Sequence, residues 1–220
     1  MPRLLRALRT RLASARRAGS RLFERALGID TAGIVELAQL DAEGFEREGY
    51  EGSGWLDLRR MLRPGEVKPD DVFLDLGSGK GRVLMLAARY PFARVIGVEL
   101  SERLNAIARR NLEAGRRRRR CKQVELITSD VLDYEIPDDA TVVYMYNPFR
   151  GATFQVVIAK LIASVDRRPR TVRLIYLNPK EHDRLKATGR FRLERKAGRL
   201  RLRRSEAARS YIRLYALEAR

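Results

Sequence analysis

Residues 73–82 read FLDLGSGKGR, and this stretch decides how the rest of the sequence is interpreted. The apolar run Val72–Leu76 predicts a strand, and three glycines follow it at alternate positions. Glycine permits positive φ and close approach of a ligand to the backbone, so this spacing predicts a binding turn. A helix predicted over Arg82–Arg89 would present free N–H groups and the positive end of its dipole. The stretch therefore predicts a strand, a loop and a helix N-terminus that suit an anionic group such as a carboxylate.

Strand and helix patterns alternate downstream of this loop. The further predicted strands are Arg94–Leu100, Val124–Thr128, Thr141–Tyr146 and Val172–Leu177. Helices are predicted from a Ser101 cap to about Ala114 and over Ala152–Ser164. The runs Phe191–Arg195 and Tyr211–Ala216 lack a convincing helix between them, which favours a terminal antiparallel hairpin. The predicted fold class is α/β, with a doubly wound, mostly parallel seven-stranded sheet and an antiparallel C-terminal hairpin.

Three segments are predicted along the chain. Residues 1–30 form a basic amphipathic helix, residues 31–70 a cap on the substrate side that includes a short helix over Trp55–Leu62, and residues 71–220 the binding domain. The helix carries an apolar stripe of Leu4, Leu8, Leu12, Ala15, Leu22 and Ala26, and Gly28 is a plausible stop. Three roles stay open for it: packing on the domain, contact with an anionic membrane, and contact with nucleic acid.

The charge of the chain is strongly positive. Its formal net charge is +18, which favours association with polyanions but is equally consistent with a compositional bias towards arginine. The most basic downstream segments are Arg116–Arg120 and Lys196–Arg209. Cys121 and His182 are the only residues of their types, so disulfides within the chain and zinc sites rich in cysteine or histidine are excluded, and we expect no metal. No apolar run reaches 18 residues, so we expect a cytoplasmic protein, with peripheral membrane contact through the first helix as an option.

Polar residues or glycines end every predicted parallel strand. Because ligands bind beyond the carboxyl ends of such strands, these residues form the candidate site: Asp75 and the Gly77–Gly81 loop, Glu99, Ser129-Asp130, Asn147-Pro148-Phe149 and Asn178. An acid at the position of Glu99 can accept hydrogen bonds from both hydroxyls of a ribose. Arg82 occupies the position of the third glycine in the dinucleotide fingerprint G-x-G-x-x-G, which argues against that class.

At these residues the sequence resembles the class I, seven-stranded S-adenosylmethionine (SAM)-dependent methyltransferases. Residues 73–82 look like their first motif, Val98–Leu100 like the second and Ser129–Val131 like the third, and the likeness covers about residues 50–217. The resemblance implies SAM as cofactor. It implies that Asp75 and Gly77–Gly81 hold the methionine portion, Glu99 the ribose and Asp130 the adenine. The implied cofactor-binding residues are Tyr50, Asp75, Gly77, Ser78, Gly79, Gly81, Glu99 and Asp130.

Within this superfamily the sequence is similar to the non-SET lysine methyltransferases, and most of all to uncharacterised bacterial relatives of them. The features that carry this likeness are the D-L-G-S-G-x-G form of the loop, the upstream Tyr50 and Asn147-Pro148-Phe149. The resemblance implies N-methylation of a protein amino group, that of lysine, with Asn147, Pro148 and Phe149 as catalytic residues. The triplet is one residue short of [DNS]-P-P-[FYW], which puts methylation of adenine or glutamine in doubt.

Other interpretations remain open from the sequence. The protein could methylate RNA or DNA through its basic segments, methylate a small molecule, or bind SAM without catalysis, as a regulatory or membrane-associated protein. Asn147 could simply end a strand, because proline restricts the residue before it. For Lys80 and Arg82 we expect a solvated helix face rather than contact with the carboxylate of SAM, and for Trp55 a packing role.

Overall fold

The computed structural model describes residues 19, 22, 24–35, 50–198 and 211–219. Nine strands lie within these ranges. A short antiparallel pair, β1 (Ile34–Val35) and β2 (Tyr50–Glu51), stands apart from the main sheet. The main sheet contains β3 (Val72–Leu76), β4 (Arg94–Glu99), β5 (Gln123–Thr128), β6 (Ala140–Tyr146), β7 (Val172–Leu177), β8 (Phe191–Ala197) and β9 (Ile212–Leu217).

The seven strands of the main sheet lie in the order β5-β4-β3-β6-β7-β9-β8. The five strands β3 to β7 are parallel, whereas β9 runs antiparallel to both of its neighbours, β7 and β8. This topology confirms the predicted fold class. The chain order reverses at β3, which lies between β4 and β6, and an open α/β sheet forms its ligand crevice at such a point.

Helices cover both faces of the sheet. They are α1 (Asp57–Met61), α2 (Arg82–Ala87), α3 (Glu102–Ala114), α4 (Gly151–Arg167) and α5 (His182–Ala187), and short 3₁₀ turns occupy Pro64–Glu66 and Arg116–Arg118. The Ser101 hydroxyl accepts a hydrogen bond from the Leu104 N–H at 3.3 Å, so the predicted cap of α3 is confirmed. None of the helices in the described part of the chain is long and apolar enough to cross a membrane.

The alternation of side chains along each strand produces two hydrophobic cores. Leu74 and Leu76 of β3 pack with α4 on one face, whereas Phe73 packs with α1 and α2 on the other. Each buried strand of the parallel core thus contributes apolar residues to both layers. The sheet is therefore packed between helices on both faces, and its carboxyl edge carries polar residues.

Three parts of the chain differ from the prediction, and one is the unpredicted pair of β1 and β2. The six-residue helix α5, between β7 and β8, was not expected. In the N-terminal segment, residues 24–27 are helical and end at Gly28, which has φ +66°. Leu22 and Ala26 of the predicted apolar stripe are exposed, whereas Glu24 is buried, so packing through the stripe is wrong at this end of the helix. Most of the predicted helix lies outside the described residues.

Candidate active site

A pocket opens at the carboxyl edge of the sheet, above β3, β4 and β6. Nine of the eleven predicted site residues line it: Tyr50, Asp75, Gly77, Ser78, Gly79, Glu99, Asp130, Pro148 and Phe149. These residues come from segments as far apart in the sequence as β2 and the turn after β6. The structure brings them together because the parallel strands all end at this edge.

The glycine loop is fixed by hydrogen bonds to the neighbouring strand. The N–H groups of Gly77 and Ser78 both donate to the carbonyl of Val98, at 2.9 and 3.0 Å. Glu99 Oε2 accepts from the Gly79 N–H at 2.8 Å, and Oε1 accepts from the Ser101 N–H at 3.0 Å. The carboxylate of Glu99 therefore holds the loop while also facing the pocket.

Two glycines of the loop are required by their surroundings. Gly77 has φ +82°, and a Cβ at this position would lie 2.7 Å from Cβ of Pro148. Gly79 has φ +53°, and its Cβ would lie 2.3 Å from the ring of Tyr50. The loop is thus enclosed between Tyr50 on one side and Pro148 on the other, which leaves no room for larger residues.

Gly81 lies outside the lining of the pocket. It has φ +76° and immediately precedes α2, and its Cβ would lie 2.9 Å from Cβ of Ala108 in α3. A glycine here lets α2 begin close to α3. The structure therefore gives Gly81 a packing role beside the loop, and direct contact with a cofactor remains a prediction.

Burial shapes the electrostatics of the pocket. It raises the pKa of the Asp75 carboxyl well above its ordinary value, and the nearby charge of Glu99 raises it further. Burial also raises the pKa of Glu99, although N–H donors such as those of Ser101 and Gly79 oppose the rise. The buried Ser78 hydroxyl has no hydrogen-bond partner among the described residues. Paired buried carboxyls favour a cationic ligand, and these groups fit the ammonium and sulfonium charges of SAM.

Lys80 and Arg82 were expected on a solvated helix face. This expectation is wrong, because both side chains are buried. Arg82 is 7% exposed, and its guanidinium donates to Glu24, Thr31 and the Ser53 carbonyl. Lys80 Nζ lies 2.9 Å from Asp30 Oδ1. Both cations are buried because they fasten the segments before the sheet to the glycine loop. Trp55 lies 4.8 Å from the Arg82 guanidinium and packs against the core, in agreement with its predicted packing role.

Asn147 occupies a strained turn outside the pocket lining. It has φ +42°, is 2% exposed, and its Oδ1 accepts a hydrogen bond from the Tyr176 hydroxyl at 3.1 Å. This turn carries the chain from β6 to Pro148 and Phe149, which do line the pocket. Asn178 has a similar φ of +48° at the end of β7, and it does not line the pocket either.

Sequence reasoning missed several residues that line the pocket. The most informative are Glu51, Tyr144 and Tyr146. Tyr144 and Tyr146 occupy alternate positions at the end of β6, and Tyr146 directly precedes Asn147, so the two tyrosines share one face of the strand at its carboxyl end. That alternation, ending at the predicted site, is the signal that could have found them. No cluster of three or more potential metal-binding side chains occurs in the part of the chain that the structure describes.

A family model described as a methyltransferase domain matches residues 73–175, from β3 into β7. Residues 73–175 are therefore similar to a methyltransferase domain. The matched region contains the glycine loop, Glu99, Asp130 and the Asn147–Phe149 turn, and the cofactor of this domain is SAM.

Relatives of the methyltransferase domain act on different acceptors. The chain is 31% identical over 127 residues to a histone-lysine N-methyltransferase, H3 lysine-79 specific, of Dictyostelium discoideum, covering 53% of this chain and 7% of that one. It is 34% identical over 95 residues to a probable ribosomal RNA small subunit methyltransferase A of Methanopyrus kandleri, covering 42% and 31% respectively. The structure of a TehB-like SAM-dependent methyltransferase from Corynebacterium glutamicum aligns with TM-score 0.53 at 12% identity, over 76% of this chain and 89% of that one. The chain thus spans less than a third of either sequence relative.

Proposed function

We propose that this protein transfers the methyl group of SAM to a protein amino group, that of a lysine side chain. The observation that carries this proposal is the charge of the pocket. Four acidic side chains line it, those of Glu51, Asp75, Glu99 and Asp130. Arg82 is the one cationic residue in the described lining, and it is paired with Glu24. A protein with a formal net charge of +18 thus has an acidic active site. Such a site attracts cations and repels phosphate.

The chemistry suits the residues present. When bound, SAM supplies a methyl group to the amine lone pair: the N–C bond forms, the S–C bond breaks and its electron pair stays on sulfur. Orientation and exclusion of water therefore supply most of what the protein must add. Burial would lower the pKa of an entering ammonium group, whereas the lining carboxylates would raise it. The group must release a proton, for which these carboxylates are acceptors, before its lone pair can attack the methyl group.

In this proposal the Asn147–Phe149 turn forms the wall beside the reacting nitrogen. Phe149 is buried, packs with Phe154 and also faces the pocket, so it would exclude water. Pro148 would fix the distance between this wall and the glycine loop through its contact with Gly77. Asn147 would set the geometry of the turn, with its amide held by Tyr176.

RNA methylation is the second candidate. It depends on whether the basic segments lie near the pocket. The arginine turn Arg116–Arg118 joins the end of α3 to the start of β5, so it lies at the amino edge of the sheet, opposite the pocket. It is therefore poorly placed to present RNA to the site. Strand β8, in contrast, ends and β9 begins at the pocket edge. Residues 199–210, which follow β8 and precede β9 in the sequence, are basic and lie outside the described residues. The basic sequence between these two strand ends is the observation that favours RNA.

The test is to incubate the purified protein with SAM carrying a labelled methyl group and an unfractionated cell lysate. We expect protease, and not ribonuclease, to release the label from the labelled material. Mass spectrometry should then detect methyl-lysine in the labelled protein. Label that ribonuclease removes would replace the proposal with RNA methylation. SAM binding without transfer to any lysate component would indicate a non-catalytic protein.

A further inference from the structure

Three residues from distant parts of the chain meet on one side of the pocket. Tyr146 ends β6, Glu51 ends β2, and Tyr211 directly precedes β9. The Tyr211 hydroxyl donates to the Tyr146 hydroxyl at 2.8 Å, and the Tyr146 hydroxyl donates to Glu51 Oε2 at 2.9 Å. The two rings meet edge to face, with centroids 6.1 Å apart and an interplanar angle of 81°. None of the three was predicted as a site residue.

These residues lie farther out than the glycine loop. Tyr144 is level with Asp75 in the sheet register, and Tyr146 projects from the same face about 6.6 Å farther along the strand. Strand β3 has ended at Leu76 by this level. Tyr146 therefore stands above the part of the pocket that fits the methionine portion of SAM.

Strand β2 explains how one segment serves both parts of the pocket. Neighbouring residues of a strand point in opposite directions, so Tyr50 lies against Gly79 while Glu51 reaches Tyr146. The first contact belongs to the cofactor loop, and the second belongs to the outer part of the pocket.

The hydrogen bonds give this outer part a defined polarity. Both hydroxyl protons are donated in the direction of the carboxylate, from Tyr211 to Tyr146 and from Tyr146 to Glu51. Burial and the neighbouring Tyr211 raise the pKa of the Tyr146 hydroxyl, so it remains a protonated donor to Glu51. A phenolic oxygen that receives one hydrogen bond can still accept another, and a carboxylate has about four lone-pair positions. The group therefore presents acceptors to a ligand.

We propose that Tyr146, Glu51 and Tyr211 form the methyl-acceptor site and that it binds a primary alkylammonium group. An ammonium offers three N–H donors and no acceptor, which matches oxygen lone pairs, and its charge is attracted to a carboxylate and to aromatic rings. A phosphate is negatively charged and offers mainly acceptor oxygens, so the same residues would disfavour its binding. This inference rests on the proposed function, because it names the residues that receive the lysine side chain. A free polyamine carries the same group, and the test separates the two sources.

The experiment measures binding of a lysine pentapeptide and of spermidine by calorimetry, with S-adenosylhomocysteine present, and the KM for each as acceptor. We expect Glu51→Gln and Tyr146→Phe each to weaken peptide binding about tenfold or more, because hydrogen bonds to charged groups are lost. Tyr211→Phe should cause a smaller loss, about threefold, because Tyr211 acts through Tyr146. The Kd for SAM should stay within about twofold of the wild-type value in all three variants, because they leave the glycine loop intact.

Matched controls come from residues outside the pocket. Tyr134→Phe and Glu125→Gln make the same chemical changes in a tyrosine packed beside α4 and in an exposed acid of β5. Both should bind peptide as the wild type does. A loss in these controls equal to that in Tyr146→Phe and Glu51→Gln would overturn the assignment.

The outcomes separate this inference from the proposed function. Wild-type methylation of the peptide, with unchanged binding and KM in both Glu51→Gln and Tyr146→Phe, overturns the acceptor site and leaves the proposed function standing. Methylation of spermidine but not the peptide, impaired by the same variants, supports the ammonium site and overturns protein as the source. A wild type that binds neither amine and methylates RNA overturns both.

Discussion

Glu24 Oε1 lies 2.7 Å from Nη2 of Arg82, although the two residues are 58 positions apart. Arg82 is the first residue of α2 and follows the glycine loop directly. The other carboxylate oxygen of Glu24 accepts from the N–H groups of Thr31 and Ala32. This buried ion pair thus joins the segment before the sheet to the loop that would hold SAM.

We expect Glu24→Ala to lower the free energy of unfolding by about 3 kcal/mol, because it leaves the buried Arg82 guanidinium without its carboxylate. Urea-induced unfolding followed by circular dichroism measures this change. The control is Glu113→Ala, which removes an exposed pair with Arg116 and should cost at most about 1 kcal/mol. Equal losses in the two variants would contradict the structural role of the pair.

Gly79→Ala should destabilise the fold and weaken SAM binding together. The positive φ of Gly79 costs a non-glycine residue about 1–3 kcal/mol, and the new Cβ would displace the Tyr50 ring from the loop. Thermal unfolding and calorimetric titration with SAM measure the two effects. Gly65→Ala, with nothing within 4 Å of its Cβ, is the matched control and should change neither. Wild-type affinity in Gly79→Ala would show that the loop tolerates a larger residue.

Glu99→Ala should weaken SAM binding by about 1–3 kcal/mol, or about 5- to 150-fold in Kd, because the ribose hydroxyls would lose their acceptor. Calorimetry measures the affinity. Since Glu99 also holds the N–H groups of Gly79 and Ser101, Glu99→Gln is the second variant: it keeps one oxygen acceptor and should lose less. Unchanged affinity in a folded Glu99→Ala protein would defeat the ribose assignment.

His182, the only histidine, should contribute to the dependence of stability on pH. Its Nδ1 lies 2.7 Å from the Tyr215 hydroxyl, and burial, aided by the charge of Arg213, lowers its pKa below the ordinary value. The unfolded chain therefore binds a proton first, at about pH 6.5, and stability falls as the pH drops from there towards the pKa of the folded state.

The measurement for His182 has two parts. An NMR titration should give a single histidine pKa below about 6.5. His182→Asn should remove the corresponding part of the decline when unfolding free energies are compared between neutral and mildly acidic pH. A histidine pKa at or above the ordinary value in the folded protein would contradict the burial of the ring.

The strands of the sheet were predictable because their signals are local. Val72–Leu76 and Val172–Leu177 have the predicted limits, and the other parallel strands differ by a residue or so at an end, since short apolar runs bounded by polar residues are distinctive. Helix α5 was missed because six residues with one buried position, Leu185, carry almost no periodic signal.

The site was only partly predictable, for a reason of distance. Residues at strand ends could be placed together from topology alone, so Asp75 and Glu99 were found. The burial of Lys80 and Arg82 depends on their partners Asp30 and Glu24, which lie at least 50 positions away in the sequence. The local sequence pattern does not indicate these partners. The contact of Tyr146 with Tyr211 likewise depends on the position of the last strand in the sheet.

Strand β9 follows β7 and β8 in sequence but lies between them in space. During synthesis on the ribosome, β7 therefore keeps an open edge, and β8 has no partner, until Ile212–Leu217 emerges. Tyr211 arrives with this strand, after the glycine loop and its supporting strands have long been available. A nascent chain thus possesses the elements for holding SAM before it possesses those of the proposed acceptor site, and the capacity to methylate would be acquired last.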